Sequence, residues 1–279
     1  MKRNLTNILF LLLISVAFIS CSSLKKSKEA EYSLLKGVNY SQQGKYQKGM
    51  EEYQKSYKIN PNNAILLKEM GYTYYKFGNY QKAEEYWLKA LKLQPKDEGL
   101  IKNLVTLYFE DGKYAKSINM MGSSYNLRDD YYKKIKGLIA YRERDYRKSY
   151  NLLKDLSLES YDTEVALIYI DVLKKADEKR ELFYFLKNIY PYLNKDKEFI
   201  LGYSRVLNEN FKMPKESEKI LLEYLVKNGS DDEVLTQLSM IYLKMGDKKK
   251  SKDTLKLLGN KDIFQDDYKN LEGKLKELE

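Results

Sequence analysis

An all-α chain of about seven stacked helical hairpins, closed by a C-terminal capping helix, is what this sequence predicts. Three observations carry that expectation. The stretch from Ala30 to Pro95 superimposes on itself at an offset of 34 residues, laying Gly37 on Gly71, Tyr40 on Tyr74, Gly44 on Gly78, Tyr46 on Tyr80, Tyr53 on Trp87 and Pro61 on Pro95. Within each unit, apolar residues recur at helical spacing on both sides of a glycine-containing turn, and proline stops the second run. The composition, with four prolines and strong use of Lys, Leu, Glu and Tyr, suits helix throughout. Each such unit buries its apolar face against its neighbours only, so the chain reads as one elongated domain without a central core.

The first 20 residues stand outside that fold. Lys2 and Arg3 precede an apolar run from Ile8 to Ile19, and Ser20 and Cys21 follow it, which gives the three regions of a bacterial export signal. The run falls short of the roughly 20 apolar residues that a membrane span needs. Phe18-Ile19-Ser20-Cys21 resembles a lipobox, with Phe18 where Leu is usual. The resemblance implies cleavage before Cys21 and lipid attachment to its thiol. With Ser22 next rather than Asp, it also implies sorting to an outer membrane, facing the periplasm. Cys21 is the chain's only cysteine and so has no disulfide partner within it. Several acyl chains on one residue anchor stably where a single one is marginal. The alternative is an ordinary signal cut near Ser20 or Ser22, with Cys21 incidental. Residues 21–29 read as a polar tether in which Lys25, Lys26 and Lys28 are either solvated or set among anionic headgroups.

Residues 30–161 hold four well-marked repeats. In the second of them, Leu67, Met70, Gly71 and Tyr74 are followed by Ala83, Trp87, Ala90 and Pro95. Gly71, Ala83 and Ala90 lack bulk where two helices must approach closely. Tyr74 and Trp87 fill the space between hairpins, and Gly78 suits a left-handed turn. This series resembles the tetratricopeptide repeat (TPR) almost position by position. The resemblance implies antiparallel helix pairs in a right-handed superhelix, whose concave face, lined by the first helices, holds an extended peptide or a partner helix. The third repeat keeps Tyr108, Gly112, Tyr114 and Ser117, with Val105 and Met121 at the glycine and aromatic positions; the fourth keeps Gly137, Tyr146 and Ser149.

The pattern then fades. Residues 162–230 read as two degenerate repeats, with Pro191 following the second helix of one, and Pro214 opening and Gly229 closing the second helix of the other. The frame returns at 231–261 with Leu238, Ser239, Tyr242, Gly246 and Ser251. Residues 262–279 read as the capping helix, with Ile263, Tyr268, Leu271, Leu275 and Leu278 on one side.

Catalytic chemistry finds little here. The chain has no histidine, which removes the commonest general base and the commonest zinc ligand, and its one cysteine is accounted for by the export signal. No phosphate-binding glycine loop is present. No metal site and no cofactor are expected. The pairs Asp129-Asp130, Asp231-Asp232 and Asp266-Asp267 allow a carboxylate-dependent cell-wall hydrolase as a rival reading, but each precedes a predicted helix, where capping explains it better. The formal net charge of +10 suits anionic lipid, an acidic partner or nucleic acid; export disfavours the last, and the tyrosines fall mostly at packing positions. The run Lys248-Lys249-Lys250 is either a solvated corner or a docking patch.

The repeat register assigns Lys68, Tyr72, Tyr75, Lys102, Asn103, Thr106, Phe109, Lys134, Leu138 and Tyr141 to the concave face that the family uses for ligands. Cationic and aromatic groups interleave there, which suits an extended acidic peptide. Some members grip a peptide's terminal carboxylate through fixed Lys, Asn and Arg positions. Lys68 and Asn103 match two of these, but Tyr72, Tyr131 and Ile135 stand at others, so that specificity is not expected here. The expected function is that of a lipid-anchored adaptor that binds another envelope protein. A self-associating scaffold on the membrane is the structural alternative.

Overall fold

The computed structural model describes residues 24–124, 129–259 and Gly273. The expected export signal, Cys21 and the C-terminal capping helix lie outside them, apart from Gly273. Fourteen α-helices and no strand occur among the described residues, paired into seven hairpins. They form two compact units, one ending at Arg128 and the other beginning at Asp129, where the sequence predicts a single uninterrupted domain.

The first unit holds three hairpins: α1 (24–42) with α2 (Tyr46–Ile59), α3 (Ala64–Lys76) with α4 (Tyr80–Leu93), and α5 (Glu98–Glu110) with α6 (Tyr114–Met121). Residues 24–29, expected as a tether, are already helical and exposed, and they run without a break into the buried Ala30. Lys, Ser and Glu in that stretch are compatible with helix, so charge alone is a poor sign of irregular chain there. Within α3 and α4, Gly71 admits the Trp87 ring, which a Cβ at residue 71 would strike. The indole Nε1 donates to the Lys68 carbonyl at 3.0 Å. In the third hairpin the same two positions are filled by Val105 and Met121, both fully buried, so bulk has moved from one helix to the other.

The second unit holds four hairpins: α7 (Asp130–Arg142) with α8 (Tyr146–Leu153), α9 (Thr163–Lys175) with α10 (Lys179–Leu193), α11 (Lys197–Glu209) with α12 (Pro214–Asn228), and α13 (Asp232–Lys244) with α14 (Lys248–Leu255). A 3-10 turn at Leu158–Ser160 follows α8. Pro191, expected to stop its helix, lies inside the last turn of α10, which continues to Leu193. So near a C-terminus the ring removes a single donor, and the helix tolerates it.

Helix starts follow local chemistry. Asn63, Asn79, Asp97, Asp129, Asp162 and Asp231 each accept a backbone N–H from the first turn of the helix that follows. The two acidic pairs within the described residues, Asp129-Asp130 and Asp231-Asp232, are thus capping structures. Asp130 also accepts the Ser157 N–H at 2.9 Å and the Ser160 hydroxyl at 3.0 Å, tying α7 to the 3-10 turn. The Ser157 N–H is the main reason its carboxyl stays far below the usual range, with Lys133 helping.

Candidate functional site

In the first unit residues 34 apart occupy the same place on successive first helices, and from the third hairpin to the fourth the spacing is 32. Leu35, Glu69 and Asn103 form one such row, and Val38, Tyr72 and Thr106 form a second beside it. In the first unit these rows border a cleft of about 450 Å³, lined by Val38, Ser41, Gln42, Tyr46, Lys68, Glu69, Tyr72 and Asn103. Three successive hairpins contribute. Leu35 is 63 % exposed and Tyr72 37 %, large fractions for apolar bodies on a packed helix. Tyr46 meets Tyr72 edge-on with centroids 6.3 Å apart, and the Lys76 ammonium lies 5.2 Å from the Tyr72 ring centre.

The charge in the cleft differs from the cationic face expected. Lys68 is clamped by Asp97, the cap of α5, at 2.9 and 3.2 Å. Burial pushes the Asp97 carboxyl up, but Lys68 and the Leu100 N–H outweigh that and hold it below its ordinary value. Beside Lys68 is Glu69, a half-buried carboxylate whose pKa burial raises, with Tyr53 and Lys68 opposing. Its hydrogen bond from the Tyr53 hydroxyl is long, at 3.4 Å.

The ten residues expected on the ligand face therefore separate into groups. Lys68, Tyr72 and Asn103 line the cleft together. Tyr75 stacks on Tyr80, packs against Trp87 and donates to Glu110 at 2.7 Å, which makes it part of the joint between α3 and α5. Phe109 packs on Tyr114 within its own hairpin. Lys102 and Thr106 are half-buried on α5, have interactions of their own and do not line the cleft.

The last three belong to the second unit. Lys134 pairs with Asp162 at 3.3 Å, and Tyr141 donates to Asp171 at 2.8 Å. Leu138 is only 5 % exposed and presents no surface to a partner. The reason is the closeness of the first helices: α7 packs directly on α9, α9 on α11 and α11 on α13. No comparable backbone packing joins α3 to α5, which are bridged instead by long side chains.

Sequence reasoning missed Glu69, Val38, Gln42, Ser41 and Tyr46. A signal for Glu69 was present, since it lies 34 residues before Asn103, which the register does assign to this face. The Lys248-Lys249-Lys250 run opens α14; Lys250 reaches Glu218 at 3.5 Å and lies 5.1 Å from the Tyr242 ring centre, so it joins two hairpins. Among the described residues no group of three or more acidic, Cys or His side chains is arranged to hold a metal ion. No described helix is long and apolar enough to cross a membrane.

Comparison with known proteins agrees with this geometry. Residues 64–97 match one tetratricopeptide repeat family model, and residues 22–63 and 232–258 match a second. No curated protein matches the sequence. Among solved structures, the C-terminal part of a TPR repeat-containing protein from Cytophaga hutchinsonii is similar, with a TM-score of 0.61 and 14% identity over 82% of this chain and 93% of that one. A tetratricopeptide repeat protein from Parabacteroides merdae gives 0.56 and 16% over 89% and 99%. The Pseudomonas aeruginosa protein PilF gives 0.53 and 13% over 90% and 99%. At such identities these likenesses establish the fold alone. The chain carries tetratricopeptide repeats, a scaffold for protein–protein interaction.

Proposed function

We propose that this protein is a lipid-anchored adaptor of the bacterial envelope, held to a membrane through Cys21, whose first unit receives an extended segment of another envelope protein. One observation carries the reading. Three successive first helices contribute to a single open cleft whose lining is part apolar and part polar, the composition of a peptide groove rather than of a packing surface. Support for the anchor comes from the sequence: Lys2 and Arg3, the apolar run and a lone cysteine directly after it. Confinement to a membrane raises the effective concentration of a partner held on the same surface.

A photo-reactive phenylalanine analogue placed at Tyr72 tests the groove in whole cells, with the same analogue at Tyr184 as control. Tyr184 is exposed but belongs to the second unit. The expected result is one crosslinked partner protein from Tyr72 and none from Tyr184. Equal yields from both positions contradict the reading, and the chain crosslinked only to itself favours the self-associating scaffold.

A further inference from the structure

The charge of the cleft points to the chemistry of what enters it. We propose that the first unit takes a basic peptide, seating a lysine or arginine side chain against Glu69 while neighbouring apolar residues cover Leu35, Val38 and Tyr72. This rests on the groove reading above and reverses the acidic ligand that the overall charge suggests.

Lysines on the first helices around the cleft are already engaged. Lys68 is bound by Asp97 at 2.9 Å, and Lys36, on the preceding first helix, is bound by Glu52 at 2.8 Å. Lys76 rests over the rings of Tyr72 and Tyr75. Glu69 has the opposite problem. It is half-buried, its hydrogen bond from Tyr53 is long, and Lys68, the cation beside it, is shared with Asp97. A carboxylate withdrawn from water and poorly compensated gains most from a cation delivered by a ligand.

Around it the site is complete. Tyr46 and Tyr72 line the cleft as an edge-to-face aromatic pair that can cover the aliphatic stem of a cationic side chain, and Asn103 supplies an amide for a peptide backbone. The net charge of +10 acts at longer range but is screened over about 8 Å at physiological salt, so local groups decide the contact.

Fluorescence anisotropy with the full chain in detergent micelles tests this. The probes are three labelled decapeptides of alternating Leu and Ser that differ only in a central Lys, Gln or Glu. The Lys peptide is expected to bind about tenfold tighter than the Glu peptide. In a Glu69→Gln variant with an unchanged melting curve, the three are expected to bind alike, with their apolar contribution intact. A preference for the Glu peptide, or a Lys preference that survives Glu69→Gln, overturns the inference and leaves the groove standing. If none of the three peptides binds the native chain, or if binding is unaffected by Tyr72→Ala, the groove reading falls as well.

Discussion

All seven hairpins turn through one residue in the left-handed region, yet the two units fill that position differently. In the first unit it is Gly44, Gly78 and Gly112; in the second it is Arg144, Asp177, Lys212 and then Gly246. Glycine adopts this backbone freely, whereas a side chain there is strained. The second unit also draws its first helices together and buries Leu138, where the first leaves the equivalent Tyr72 in an open cleft. One frame thus supports two arrangements, an open cleft along the first helices of the first unit and, at the equivalent position of α7, a buried side chain.

Substitutions can break this comparison or sharpen it. The largest effect is expected at the Gly71–Trp87 joint. Trp87→Ala removes a fully buried indole and should cost about 3–5 kcal/mol, read as a lower urea midpoint by circular dichroism. Gly71→Val alone should cost about 1–3 kcal/mol through overpacking. Combining it with Trp87→Met should recover much of that loss, because Val105 and Met121 show that the pairing is viable. If the double variant is as unstable as the sum of the singles, the equivalence of the second and third hairpins is wrong.

Turn exchange comes next. Gly78→Ala should lose about 1 kcal/mol, and Arg144→Gly should gain up to about 1 kcal/mol by relieving a left-handed side chain. Equal losses from both would show that the turns are not equivalent.

A smaller contrast lies on the second helices. Ser117 donates to the Val105 carbonyl at 2.9 Å, while the equivalent Ser149 is buried with no hydrogen-bond partner among the described residues. Ser117→Ala should therefore lose about 1 kcal/mol, and Ser149→Ala should be neutral or stabilising.

Acid gives the smallest effect. Asp97, Asp130 and Asp171 have folded-state pKa values below the ordinary 3.8, so their contribution is present above that value and is lost as pH falls through the lower folded values. Glu69 runs the other way: its raised pKa is a cost at neutral pH that protonation relieves. Asp130→Asn should flatten the acid limb of the stability curve, and Glu69→Gln should not.

The sequence was most readable where backbone geometry demands a particular residue. Gly78 at the turn, Gly71 against Trp87, and the aspartates before α7 and α13 all follow from local chemistry. After the fourth repeat Asp177 and Lys212 stand at the turn without its signature glycine, and the turn around Lys212 is one residue longer than the others, so the frame faded from view.

The site was harder to read, since register gives the face of a helix but not what neighbouring helices do to it. Leu138 and Ile135 are apolar at groove positions, a sign of burial that a cationic and aromatic pattern obscured. Tyrosines read as simple packing also act as donors: Tyr108 to Glu84 at 2.8 Å, Tyr190 to Glu223 at 2.5 Å, and both Tyr150 and Tyr169 to Glu181 at 2.6 Å. The hydrogen bond to Glu181, with burial, pushes Tyr150 up to about 12. No spacing rule in one sequence pairs those residues.

Thiol labelling is the most direct test of an open first unit and a closed second one. In a Cys21→Ser background, Tyr72→Cys and Leu138→Cys place single thiols at equivalent positions, each directly after a glycine of the repeat frame. The account predicts that a maleimide labels the Tyr72→Cys protein rapidly in the native state, and the Leu138→Cys protein only after denaturant is added. Equal native rates at the two positions would contradict it.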